Sequence, residues 1–196
     1  MKFINRRFLN IFSHFAIFFV LILTFNCSKS YATREVAKST LEVAKKADQI
    51  VVAECTSSKS KRSEYGNLIF TYSTFYIQES VKGGEIGEEI TLRMIGGQVD
   101  DLILSVPDMP EFRESEEVIL FLGSKNRDGY PTLASLKNGV LRIETDRVTG
   151  KKYIATPVSG IELYEQNTTK VISPPFQNGL LLEDFIYSIS KALGLE

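Results

Sequence analysis

The chain has 196 residues, with 23 basic and 24 acidic side chains, no tryptophan and a single histidine, His14, which lies in the first apolar stretch. Whatever follows that stretch has no imidazole. Serine and cysteine triads relayed through histidine, and zinc sites that need histidine, are therefore excluded, and an enzyme would have to work with carboxylates, lysine or tyrosine.

Lys2, Arg6 and Arg7 precede an apolar run from Phe15 to Phe25, and no acidic residue occurs before Glu35. This is the order of a secretory signal, a basic segment followed by an apolar one. The run is about eleven residues, short of the roughly twenty that cross a bilayer. It leads to Ser30-Tyr31-Ala32, with small residues at the two positions a signal peptidase inspects. Cleavage is expected after Ala32, giving a periplasmic or secreted protein. One alternative is an uncleaved anchor. Another is a lipid on Cys27, for which Leu23-Thr24-Phe25-Asn26 is a poor context because a small residue should directly precede the cysteine. Removing residues 1–32 takes four of the 23 basic residues and none of the 24 acidic ones, leaving 19 against 24, or −5. Such a chain, without basic clusters in the sequence, is a poor partner for nucleic acid or anionic lipid. Membrane contact is expected only through the signal segment or a lipid on Cys27.

The expected division is a helix within 33–48, a β domain over 49–160, a linker over 161–179 and a terminal helix over 180–196. Ser39-Thr40-Leu41-Glu42 has the form of a capping box, in which Ser39 caps and Glu42 reaches back. The helix it opens should end near Asp48. From Gln49 the composition turns to Val, Ile, Thr, Phe and Tyr broken by Gly, Asn and Asp, which predicts strands near 49–56, 68–81, 89–95, 101–106, 117–123, 130–136, 139–144 and 151–155. The strand from Leu68 to Val81 carries bulky residues on both faces and is long enough to curl around a barrel. Hairpin turns are expected at Lys137-Asn138-Gly139 and at Asp146–Gly150. Cys55 ends the apolar run Ile50–Ala53 and is expected to be a buried, reduced, inert thiol. After Pro174 and Pro175, the residues Leu182, Phe185, Ile186, Ile189 and Leu193 fall on one helical stripe, as for a helix packed on the β domain.

Three local patterns invite a sharper reading. Lys82-Gly83-Gly84-Glu85-Ile86-Gly87 is glycine-rich, but a phosphate loop ends in Gly-Lys-Ser/Thr and runs into a helix, whereas a strand follows here. The acidic residues Asp100, Asp101, Asp108, Glu111, Glu114, Glu116 and Glu117 lack the spacing of a calcium loop. Gly96-Gly97 would let a partner approach the backbone, or would serve a bulge or corner.

Ala47-Asp48-Gln49-Ile50-Val51-Val52, Val81-Lys82-Gly83, Ile95-Gly96-Gly97, Pro110-Glu111-Phe112 and Glu116–Leu122 together resemble a family of uncharacterised exported bacterial domains, over about Leu41 to Ile143. The order of an Ala-Asp start, a long strand ending in Lys-Gly and a Glu-Val-Ile-Leu-Phe strand is also similar to the OB-type barrel of the tissue inhibitors of metalloproteinases and related netrin-like modules. That second resemblance implies protease binding through an N-terminal cysteine that chelates zinc. Here the first residue after cleavage is Thr33, a helix precedes the barrel and the disulfides are missing, so no inhibitory residue carries over. The expectation is a mainly β protein, a small OB-like antiparallel barrel with a helix at each end. It should act by binding another exported protein, a protease among the candidates, with no cofactor, no metal and no catalytic residue. The expected contact is Gly96, Gly97, Met109 and Phe112, on a loop stiffened by Pro107 and Pro110. The alternatives are a carboxylate-dependent hydrolase and a structural envelope component.

Overall fold

The structure, a computed structural model, describes residues 39–64, 66, 68–136, 138–165, 171–172 and 179–195. The expected signal segment, its cleavage point and Cys27 lie outside the described residues, as does most of the 161–179 linker. The described residues fall in one unit, Ala37–Glu196. Among them no helix is long and apolar enough to cross a membrane.

The fold is mainly antiparallel β. Helix α1 (Thr40–Lys46) leads into β1 (Gln49–Arg62) and β2 (Ile69–Lys82), then β3 (Glu89–Ile95), β4 (Gly97–Val99) and β5 (Leu102–Leu104). Next come β6 (Glu117–Lys125), β7 (Pro131–Leu133), β8 (Val140–Thr145), β9 (Lys152–Ile154), β10 (Leu163–Tyr164), β11 (Val171–Ile172), β12 (Leu180–Leu181) and helix α2 (Leu182–Leu193). The main sheet runs β12-β9-β8-β6-β1-β2-β3, with β7 also on β6, while β4-β5 and β10-β11 form two small ribbons. The hydrogen-bonded path is open, and no ladder returns from β3 to close a barrel among the described residues.

The centre of the sheet is buried on both faces, which explains why β1 and β6 read as near-continuous apolar runs. Successive residues of a strand point to opposite faces. Ile50 and Val52 of β1, with Ile119 and Phe121 of β6, join Val43, Ala44, Phe185 and Ile189 in the layer beneath the two helices. Val51, Ala53, Cys55, Val118, Leu120 and Leu122 meet Phe75, Ile77, Leu92, Met94 and Phe112 on the other side, where the curled β1–β2–β3 meander encloses its own core. Register shifts in β1 at Ile50/Val51, Val52/Ala53 and Cys55/Ser57 supply the curl, since an extra residue on one strand bends it and raises its twist.

Both helices dock as their sequences require. Glu42 N–H donates to Ser39 Oγ at 3.2 Å and Ser39 N–H to Glu42 Oε2 at 2.8 Å, closing the capping box. The apolar stripe of α2 buries Leu182, Phe185 and Ile189, each worth about 1.5–3 kcal/mol relative to exposure. Ser188 donates to Asp184 O and accepts from Tyr164 N–H at 2.7 Å, which ties β10 to this helix.

Two expectations change on inspection. The first strand continues to Arg62 instead of ending at residue 56, because its polar second half pairs with β2 alone. Lys137-Asn138-Gly139 makes no hairpin between β7 and β8, since both strands pair with β6 and lie along the same edge of it. Phe121 explains this: its carbonyl accepts from Ala134 N–H at 2.9 Å and its N–H donates to Gly139 O at 3.0 Å, so Ser135, Leu136 and Asn138 fall between two bonds to one residue. Gly139 is needed there, because a Cβ would lie 2.1 Å from Ser135 O. The turn at Asp146–Gly150 does join the antiparallel pair β8 and β9.

Candidate functional site

Gly96, Gly97, Met109 and Phe112 come together on the wall of one cleft of about 320 Å³, formed where β4, β5 and the following loop fold over the ends of β1 and β2. The pair of glycines makes the fold-over possible. Their φ angles are 116° and 121°, a region that residues with a Cβ rarely enter. A Cβ on Gly97 would also lie 2.2 Å from Ser60 Oγ and 2.3 Å from Thr71 Oγ1. Thr71 Oγ1 donates to Gly96 O at 2.7 Å. A hydroxyl has one proton to give, so in the 2.9 Å pair between them Ser60 is the donor and Thr71 the acceptor. Ser58 and Ser73 form a similar pair at 3.0 Å. Part of the cleft floor is therefore a set of hydroxyls already engaged with one another.

The opposite wall is held by two kinds of contact. A turn brings Met109 N–H to Val106 O at 3.3 Å. Arg142 donates to Glu111 O at 2.9 Å and pairs with the Glu116 carboxylate, clamping the end of the loop. Phe112 is 6% exposed, and its ring meets Phe75 edge-on with centroids 4.8 Å apart. It plugs the inner core and forms the back of the cleft, so it is not an outward contact. Met109 packs partly against the same core. The apolar surface at the rim comes instead from Ile103 of β5, 71% exposed. Sequence reading missed Ile103 because Leu-Ile-Leu inside a short β run reads as buried strand. The aspartates flanking it, Asp100 and Asp101, mark a turn and are the signal that a two-stranded ribbon stands away from the sheet.

The carboxylates are spread out. Glu111 alone contributes a carboxylate to this cleft. Glu54, Glu116 and Glu117 share a second depression, but Glu116 is paired with Arg142, Glu117 with Lys152 at 2.6 Å, and Glu54 accepts from Gln78 at 3.1 Å. Among the described residues no three His, Cys, Asp or Glu side chains converge in a way that could hold a metal ion. Cys55 is fully buried and unpaired. Burial pushes its thiol above the ordinary range, against a lowering by hydrogen bonding with the Ser57 backbone, and Glu114 and Glu54 push it further. The segment Lys82–Gly87 connects β2 to β3 and is followed by a strand.

No protein-family model, no curated protein and no solved structure matches this chain.

Proposed function

We propose that this chain is an exported, non-catalytic binding module of OB-like architecture, and that it engages another exported protein, a protease among the candidates, through the cleft beneath β4 and β5. The OB-like reading rests on the order β3-β2-β1-β6-β7. This order curls β3 round towards the β6–β7 turn, where Arg93 pairs with Asp128, and Tyr72 meets Tyr130 edge-on at 5.7 Å. Side chains thus span the seam that backbone hydrogen bonds leave open. Export remains the meaning given to the basic and apolar segment ahead of Ala32.

The observation that carries the binding reading is the convergence of Gly96, Gly97 and Met109 on a cleft whose rim exposes Ile103. A rigid wall with exposed apolar side chains suits a protein contact, since little ordering is needed on association. A carboxylate-dependent hydrolase would need two carboxyl groups facing one another across a pocket, and this cleft has one.

The test is capture from an envelope extract by the wild-type protein and by an Ile103→Ser, Met109→Ser variant, followed by reconstitution with the purified captured protein. The expected result is one dominant partner whose affinity falls at least about tenfold in the variant, as when apolar anchors are truncated. Equal capture by both proteins would rule out the cleft. Turnover of a panel of generic glycosides, esters or peptides by the purified domain would overturn the non-catalytic reading.

A further inference from the structure

Strand β5 pairs with β4 and with no other strand among the described residues, so its far edge carries no ladder. Which backbone groups face that edge follows from the register. Asp100 and Asp101 alone separate the two strands, which pair Val99 with Leu102, Gln98 with Ile103 and Gly97 with Leu104. In a hairpin closed by two residues the flanking pair is hydrogen-bonded, and alternation makes Gln98–Ile103 the pair without such bonds. The Leu104 carbonyl agrees: it turns towards β4 and would lie 3.1 Å from a Cβ on Gly96. The N–H and C=O of Ile103 therefore point away from β4, to the open edge. Edge strands are commonly blunted by lysine, proline or a bulge. Leu102-Ile103-Leu104 has none of these, and both Leu102 and Ile103 are exposed.

Resting on the cleft reading above, we propose that the partner docks by adding an extended segment to β5, with an apolar residue opposite Ile103 and a lysine or arginine two positions away, opposite Asp101. An unpaired N–H and C=O side by side on a strand edge are satisfied by another main chain, as in recognition by strand addition. One residue's pair of bonds is a small hold, so side chains supply the rest. β5 contributes Ile103 and Leu104 to the cleft, Val106 and Met109 face them, and Phe112 forms the back. A volume of about 320 Å³ admits one large apolar side chain, given that benzene occupies a cavity of roughly 150 Å³. The charge of the segment follows from what flanks the strand. Asp101 is two residues from Ile103 and so shares its face. Asp100 is exposed at the same turn and Glu111 on the cleft wall, and no lysine or arginine lines the cleft among the described residues. Opposite charges facing one another across two strands stabilise the pairing, and like charges oppose it.

The experiment is selection of a random octapeptide display library on the immobilised protein, followed by synthesis of the consensus peptide with and without an N-methyl group on its apolar residue. The expected consensus is an apolar residue two positions from lysine or arginine. N-methylation removes one main-chain donor and should weaken binding about tenfold. Ile103→Pro should do the same, since proline is tolerated where an edge N–H is unpaired and takes that donor away. Asp101→Lys should shift the selected residue from basic to acidic. No consensus, a consensus without a basic residue, or equal binding of the N-methylated peptide would overturn the proposal. So would a dimer of the protein that Ile103→Pro abolishes while no peptide is selected, which would give the edge to a second copy. In any of these cases, loss of partner capture by Met109→Ser alone would keep the cleft as the contact, so the two readings fail separately.

Discussion

Cys55 shows how a single residue can be placed from its neighbours. The run Ile50–Ala53 is apolar at every position, so a strand through it must be buried on both faces, and the thiol that follows is enclosed with it. With its thiol raised by burial, little thiolate forms near neutral pH, and the thiolate is the reactive species. Labelling of the native protein by a thiol reagent should be slow and should accelerate on unfolding; rapid labelling without denaturant would contradict the enclosed position. Phe112 was harder to place. Two prolines and Met109 nearby suggest a stiff outward loop, but the edge-on contact with Phe75 turns the ring inward. Phe112→Ala should therefore destabilise the fold by about 3 kcal/mol or more, whereas Ile103→Ser, at an exposed position, should stay within about 0.5 kcal/mol. Chemical denaturation of both variants measures the difference.

Among the elements, those with a local rule were legible and those set by distant pairing were not. The capping box and the Asp146–Gly150 turn are local chemistry. Asp146 is held below the usual carboxylate range by the N–H groups of Thr149 and Val148, both donating to its Oδ1 at 2.8 Å. A carboxylate lowered on folding stabilises the fold above its ordinary pKa, and that stability is lost as pH falls through the folded value. Amide resonances of Val148 and Thr149 should therefore titrate with a midpoint below that of a free aspartate, and the inflection should vanish in Asp146→Asn. The second half of β1 was missed because Ser57–Arg62 is polar, and only its pairing with β2 makes it a strand. The Asn-Gly signal at 138–139 misled for a related reason, since both flanking strands find their partner in β6. At Gly97 the neighbours decide: Gly97→Ala meets both the 121° φ and the Ser60 and Thr71 hydroxyls, and should cost at least about 2 kcal/mol.

In the whole molecule, one sheet serves two cores, and its curl brings β3 to the β6–β7 turn. If side chains hold that seam, Arg93→Ala and Asp128→Ala should be non-additive, with a coupling of about 0.5–1 kcal/mol for a partly exposed pair; additive losses would mean the two ends of the sheet meet without holding each other. The candidate site was partly legible. Gly96-Gly97 and the Val106–Phe112 loop stand out in sequence as irregular features in a β domain, and the fold brings them to one cleft. The Ile103 rim depends on which strands lie side by side, which residue order does not state. The binding account is tested most directly by mapping amide shifts of the labelled domain on titration with its captured, purified partner. Perturbations concentrated on Gly96–Gly97, Ile103 and Val106–Met109 are the predicted result; perturbations confined to the helical face around α1 and α2, with that cleft silent, would contradict it.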